Sequence, residues 1–112
     1  MQPALYQIVL STCSGTEEAE RIARDLVENG VAACVNIVPG LRSLYRWQGR
    51  LETANEALMI IKATADKYPA IESRIKRLHS YDMPEVLALP ISQGAAEYLR
   101  GLGPPPMLDQ GE

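Results

Sequence analysis

The stretch from Ala32 to Thr64, AACVNIVPGLRSLYRWQGRLETANEALMIIKAT, constrains the fold of this chain more than any other. Two runs rich in apolar, β-branched and aromatic residues flank Trp47-Gln48-Gly49-Arg50, a glycine-containing connection of the kind that closes a β-hairpin. Each arm spans about thirteen residues, where a strand usually has five or six. At about 3.3 Å per residue an arm reaches roughly 43 Å, against a radius of gyration near 13 Å for a compact chain of this size. The arms are therefore too long for their own domain to cover.

The 112 residues, 46% of them hydrophobic, suffice for a single globular domain with a small core. We read that domain as residues 1–102 and the Pro-rich residues 103–112 as a flexible tail. A formal charge of −3 argues against nucleic acid or an anionic membrane surface as partner. The neighbouring Arg74, Lys76 and Arg77 fit a solvated helix face. The opening MQPALYQIVLS lacks Lys and Arg and does not read as a signal peptide. No run approaches the ~20 apolar residues of a membrane helix. The expectation is a cytoplasmic protein, with Cys13 and Cys34 as thiols.

Along the chain, Tyr6 to Ser11 alternates as a first strand and ends in the turn-prone Thr12-Cys13-Ser14-Gly15. A helix follows, with Ser14 and Glu17 spaced as a capping box and Ala19, Ile22, Ala23, Leu26 and Val27 as its apolar stripe. Gly30 ends it. In the hairpin, Pro39-Gly40 predicts a bend or bulge. Beyond it Leu41, Ser43, Tyr45 and Trp47 share one side of the strand, and the run Ala57 to Ile61 reads as the buried centre of a sheet. A second helix starts near Tyr68-Pro69 with Ile71, Ile75 and Leu78 on one face. Glu85 to Pro90 is a fourth strand, and Ala95 to Leu102 a short last helix.

This order is α+β, a ferredoxin-like split βαβ fold (βαββαβ) with a long β-hairpin and an added C-terminal helix. One sheet face is left without helices. With the long arms, that predicts a closed homo-oligomer.

The fold hosts unrelated activities, so function is argued from side chains. A soft-metal chaperone needs C-x-x-C after the first strand, and Thr16 stands three residues beyond Cys13. An RNA-recognition sheet needs stacking aromatics, and the chain has no Phe and an aliphatic central strand. An acylphosphatase-type site needs an arginine in the first loop, and Ser11 to Glu17 has no basic residue. With one histidine, no nucleophile-base pair and no phosphate-binding glycine loop, the chain does not read as an enzyme.

The stretch AACVNIVPGLRSLYRWQ (32–48), followed by Met59-Ile60-Ile61-Lys62 and by YDMPEVLALPI (81–91), resembles the CutA family of divalent-cation tolerance proteins. The resemblance runs from Leu5 to Leu102. It implies a ferredoxin-like homotrimer whose hairpins wrap neighbouring subunits, an architecture similar to that of PII signalling proteins. It also implies tolerance of copper and other divalent cations.

Two groups of candidate residues emerge. His79, Asp82 and Glu85, joined by Cys13, read either as ligands for copper or another divalent cation, which imidazole, thiolate and carboxylate suit, or as structural groups, with His79 ending a helix favourably and Glu85 paired to a cation. Cys13 reads either as an ordinary loop thiol or, beside a helix N-terminus, as one with a lowered pKa. Cys34, inside a strand, is expected to be buried. Relatives of this family usually read His-Pro-Tyr-Glu where this chain reads His79-Ser80-Tyr81-Asp82, so Ser80 is expected to free the loop. Metal-site proposals for some relatives use a thiol and a second histidine at places matched here by Ser11 and Leu78. Tyr45, Trp47, Lys62 and Tyr81 form the second group, read as an inter-subunit cleft for a small anionic ligand or as interface anchors, with Lys62 paired to Glu85 or Glu56. The first group suggests a non-enzymatic metal-tolerance trimer. The second suggests a PII-like sensor acting through a signalling partner.

Overall fold

The computed structural model describes residues 4–105; residues 106–112 of the expected tail lie outside them. The elements run β1 (Tyr6–Cys13), α1 (Thr16–Glu28), β2 (Cys34–Trp47), β3 (Arg50–Thr64), α2 (Tyr68–Leu78), β4 (Leu87–Pro90) and α3 (Ala96–Gly101), with a short 3-10 turn at Ala65–Lys67. The sheet order is β2-β3-β1-β4 and every pairing is antiparallel. This is the expected ferredoxin-like arrangement, with β3 inserted between β1 and β2. The apolar run Ala57 to Ile61 lies in this central strand.

Alternation along the strands sorts the side chains onto two faces. Val9, Cys13, Ala57, Met59, Ile61 and Ala63 face the helices and are closed off from solvent by Ile22 and Leu26 of α1 and Ile71 and Ile75 of α2. The opposite face carries Ile8, Leu10, Leu58 and Ile60, only half-buried, beside exposed Leu87 and Leu89. Register places Leu10 between Ile60 and Leu87, and Ile8 between Lys62 and Leu89, so these side chains form one continuous apolar surface.

The hairpin is as long as its sequence suggests. Gln48 (φ 51°) and Gly49 (φ 78°) both adopt left-handed backbone at the two-residue tip, the geometry whose twist matches paired strands. Gly40 (φ 74°) makes the predicted bulge: Val38 pairs with Leu58 but Leu41 pairs with Glu56. The domain measures 51 × 29 × 26 Å with a radius of gyration of 15.4 Å, extended by the arm beyond the roughly 13 Å of a compact chain. Leu44, Tyr45, Trp47 and Leu51 on the arm are exposed.

Three local readings are corrected. β1 continues through Cys13, because Thr12 and Cys13 still pair with Leu58 and Ala57. The capping box is not formed at Glu17. Gly15 takes the N-cap position, and Ser14 donates its N–H and hydroxyl to Glu18 Oε1 at 2.9 Å each. Val27, placed in the apolar stripe, is 43% exposed. Ile22→Ala should therefore destabilise the fold by about 3 kcal/mol, and Val27→Ala by less than about 0.5, as read by urea denaturation.

Candidate functional site

Three elements converge where β1 ends. β1 carries Cys13 on its helix-facing side, the first turn of α1 carries Glu18, and α2 stops at His79, whose N–H caps Ile75 O at 2.9 Å. Cys13 Sγ, a Glu18 carboxylate oxygen and a His79 ring nitrogen lie within 4.8 Å of one another. All three side chains are buried.

Hydrogen bonds fix the state of each group. Tyr81 N–H donates to His79 Nδ1 at 3.0 Å, so the ring proton sits on Nε2, which donates to Thr12 O at 2.7 Å. His79 is thus held as one neutral tautomer, with Nδ1 3.9 Å from Glu18 Oε2. Ser80 N–H donates to that same Oε2 at 2.6 Å. Burial alone would push the Glu18 carboxyl up, but its bonds from Ser14 and Ser80 outweigh this and hold it at about 2. The Cys13 thiol moves the other way: burial, reinforced by the Glu18 and Glu56 charges, pushes it up to about 12. Among the described residues the thiol is the one donor of the three with no hydrogen bond.

A second run of contacts leaves this cluster. The Tyr81 ring lies 4.6 Å from the His79 ring, and its hydroxyl donates to Glu56 Oε2 at 2.8 Å. Ser43 Oγ donates to Glu56 Oε1 at 2.6 Å. Burial first, then the bonded Glu56, raise the Tyr81 phenol to about 12, with a contribution from nearby Tyr45.

With this geometry in place, comparison with known proteins is decisive. Residues 7–102 match the family described as CutA1 divalent ion tolerance protein. The chain belongs to the CutA1 family. It is 50% identical over 95 residues to the divalent-cation tolerance protein CutA of Thermus thermophilus, covering 85% of this chain and 92% of that one. The solved Cut A1 structure from the same organism superposes with a TM-score of 0.85 over 88% of this chain and 95% of the other, at 48% identity. The structure of the periplasmic divalent cation tolerance protein CutA from Archaeoglobus fulgidus gives 0.85 at 39% identity, covering 88% and 95%.

Within this CutA1-family chain the sequence-predicted ligands divide. Cys13 and His79 meet as expected. Asp82 and Glu85 do not join them: both are exposed, and it is the Glu85 backbone carbonyl, not its carboxylate, that accepts a bond, from Ser11 Oγ at 2.6 Å. Glu18 takes their place. At the positive start of α1 a glutamate has a local reason to be present, and its i, i+4 spacing from Ser14 is the one sequence signal of the bonded pair. Ser11 is buried and bonded, and Leu78 offers no donor side chain. Ser80 does not free the loop, because its N–H, which a proline would lack, is bonded to Glu18. Cys13 is neither a loop thiol nor one activated by the helix terminus; its place in a buried strand pushes its pKa up. Cys34 is half-exposed on the open face, its Sγ 4.0 Å from Asn36 Oδ1.

The second predicted group is spread out. Tyr81 bonds Glu56 and Tyr45 pairs with Glu52, while Lys62 pairs with Cys34 and Trp47 with Arg50, at opposite ends of β3. Twelve residues separate Lys62 from Arg50, about 40 Å along a strand. Among the described residues of the one chain Lys62 makes no salt bridge; the expected pairing with Glu56 or Glu85 is one between subunits. Lys62 Nζ lies 3.2 Å from the Tyr98 hydroxyl and 5.6 Å from the centre of its ring.

Two measurements check this picture. Because the folded Glu18 carboxyl titrates below its ordinary 4.5, its contribution, about 3 kcal/mol, is full above that value and is lost as pH falls towards 2. Glu18→Gln should remove that segment of the stability-pH curve in urea melts. Iodoacetamide at pH 8 should leave Cys13 unlabelled in the native protein, its thiolate about a thousandfold scarcer than that of an ordinary thiol, and label it only after unfolding.

Proposed function

We propose that the protein serves divalent-cation tolerance as a non-enzymatic homotrimer that binds a soft or borderline divalent ion, copper or zinc, through Cys13, Glu18 and His79. The observation that carries this reading is the convergence of sulfur, nitrogen and oxygen donors within 4.8 Å. That donor set suits copper and zinc and not magnesium or calcium, which take oxygen ligands. The residues fit with a small contraction. A tetrahedral ion at about 2.0 Å from nitrogen and oxygen and 2.3 Å from sulfur spaces its ligands roughly 3.3–3.5 Å apart, so the three side chains must close by about 1 Å. Cys13 must also lose its proton, and burial makes that costly unless a cation arrives.

Assembly is supported by the continuous apolar surface around Leu10 and Ile60 and by the exposed Leu44, Trp47 and Leu51 of the arm. We place the trimer contacts on both. The cytoplasm is the proposed compartment, supported by two cysteines that remain free thiols. An alternative, a sensor binding a small anion between subunits, is supported by Lys62, which is half-buried without a carboxylate partner among the described residues.

Titration calorimetry separates the readings. Zinc or copper should bind with proton release, and Cys13→Ser or His79→Ala should weaken binding at least tenfold. Metal binding unchanged in both variants would remove the ligand assignment. Nucleotide binding lost in Lys62→Ala would favour the sensor. Light scattering after size exclusion should give three times the 12.3 kDa chain mass.

A further inference from the structure

The positions that a cation needs at this cluster are held by the protein's own backbone. Ser80 N–H occupies Glu18 Oε2 and Tyr81 N–H occupies His79 Nδ1. Both are partial positive charges presented by consecutive residues of one loop. We infer that the 80–81 segment is a latch that competes with a cation for Glu18 and His79, and that Tyr81 transmits its release to the hairpin arm. This rests on the metal-binding reading above.

The transmission follows from connectivity. Tyr81 has two anchors, its N–H on His79 and its hydroxyl on Glu56. Glu56 is the first β3 residue beyond the bulge, paired with Leu41, and its other oxygen holds Ser43 of β2. One carboxylate therefore joins the loop to the root of the arm. When Nδ1 is given to a cation, Tyr81 N–H loses its acceptor and the segment must shift, drawing the phenol from Glu56. The arm then loses a charge-assisted bond where it leaves the helix-covered core. His79 already has the extended backbone (φ −78°, ψ 148°) that a following proline requires. Ser80→Pro is therefore sterically compatible with the residue before it and removes the Ser80 N–H from the competition.

Amide hydrogen exchange of residues 42–54, read by mass spectrometry with and without zinc, tests the inference, with calorimetry run in parallel. In the native protein zinc should speed exchange in this segment at least threefold. In Tyr81→Phe zinc should still bind, exchange should be fast already, and zinc should add no further change. Ser80→Pro should bind zinc about tenfold more tightly, one charge-assisted bond having been withdrawn from the competition. Calorimetric binding with unchanged arm exchange in the native protein would overturn the coupling alone, as would a native-like response in Tyr81→Phe. Ser80→Pro binding zinc no more tightly would overturn the latch. Absence of zinc binding in the native protein and in Ser80→Pro would overturn the metal reading and the inference with it.

Discussion

A carboxylate buried at the start of a helix must be hydrogen-bonded or it will not stay ionised, and the Glu18 side chain meets that requirement by drawing two distant segments together. Ser14 closes the turn from β1 into α1, and Ser80 closes the loop that leaves α2. With those segments fixed, His79 has one available tautomer, Cys13 is sealed beneath, and Tyr81 is aimed at the hairpin. Loss of the bonds to Glu18 costs more than the bonds themselves contribute, because the carboxylate they leave unsatisfied is buried.

The architecture was legible in the sequence because its signals are local. The Gln48-Gly49 tip, the Pro39-Gly40 bulge, the Ile71/Ile75 spacing and the Gly30 helix end each act within a few residues. The resemblance carried by residues 32–48 and 81–91 then ordered them into one fold. The Cys13 and His79 pairing was partly legible, through residue type alone. Glu18 was not, since Glu18 and His79 are brought together by packing across the domain, and local helix chemistry already supplied a sufficient reason for a glutamate there. The raised Cys13 pKa was not legible for a related reason. Helix-terminus electrostatics is a short-range sequence inference, whereas desolvation depends on where β1 ends, and β1 ran two residues further than its alternation suggested.

The two faces of the sheet divide the labour of the molecule. The helix-covered face gives the domain its stability and carries Cys13 at its end. The uncovered face, with Ile8, Leu10, Leu58 and Ile60, and the arm with Trp47 at its tip, supply apolar area that one chain leaves half in water. Lys62 and Tyr98 lie at one end of that surface and Glu56 with Tyr81 at the other, so charged and hydroxyl groups bound an apolar field. This arrangement favours contacts in one orientation over a slide along the sheet.

The bulge at Gly40 adds a single residue to β2 relative to β3. Since strand side chains alternate with a period of two, one extra residue exchanges the two faces of β2 from that point onward. Cys34, Asn36 and Val38 share a face before it; Leu41, Ser43, Tyr45 and Trp47 share that face after it. The arm thus works as a parity device. Chains of this design can lengthen or shorten the hairpin by cross-strand pairs of residues two at a time and keep every contact on its proper side, whereas loss of the one bulged residue would turn the whole distal half of β2 inside out.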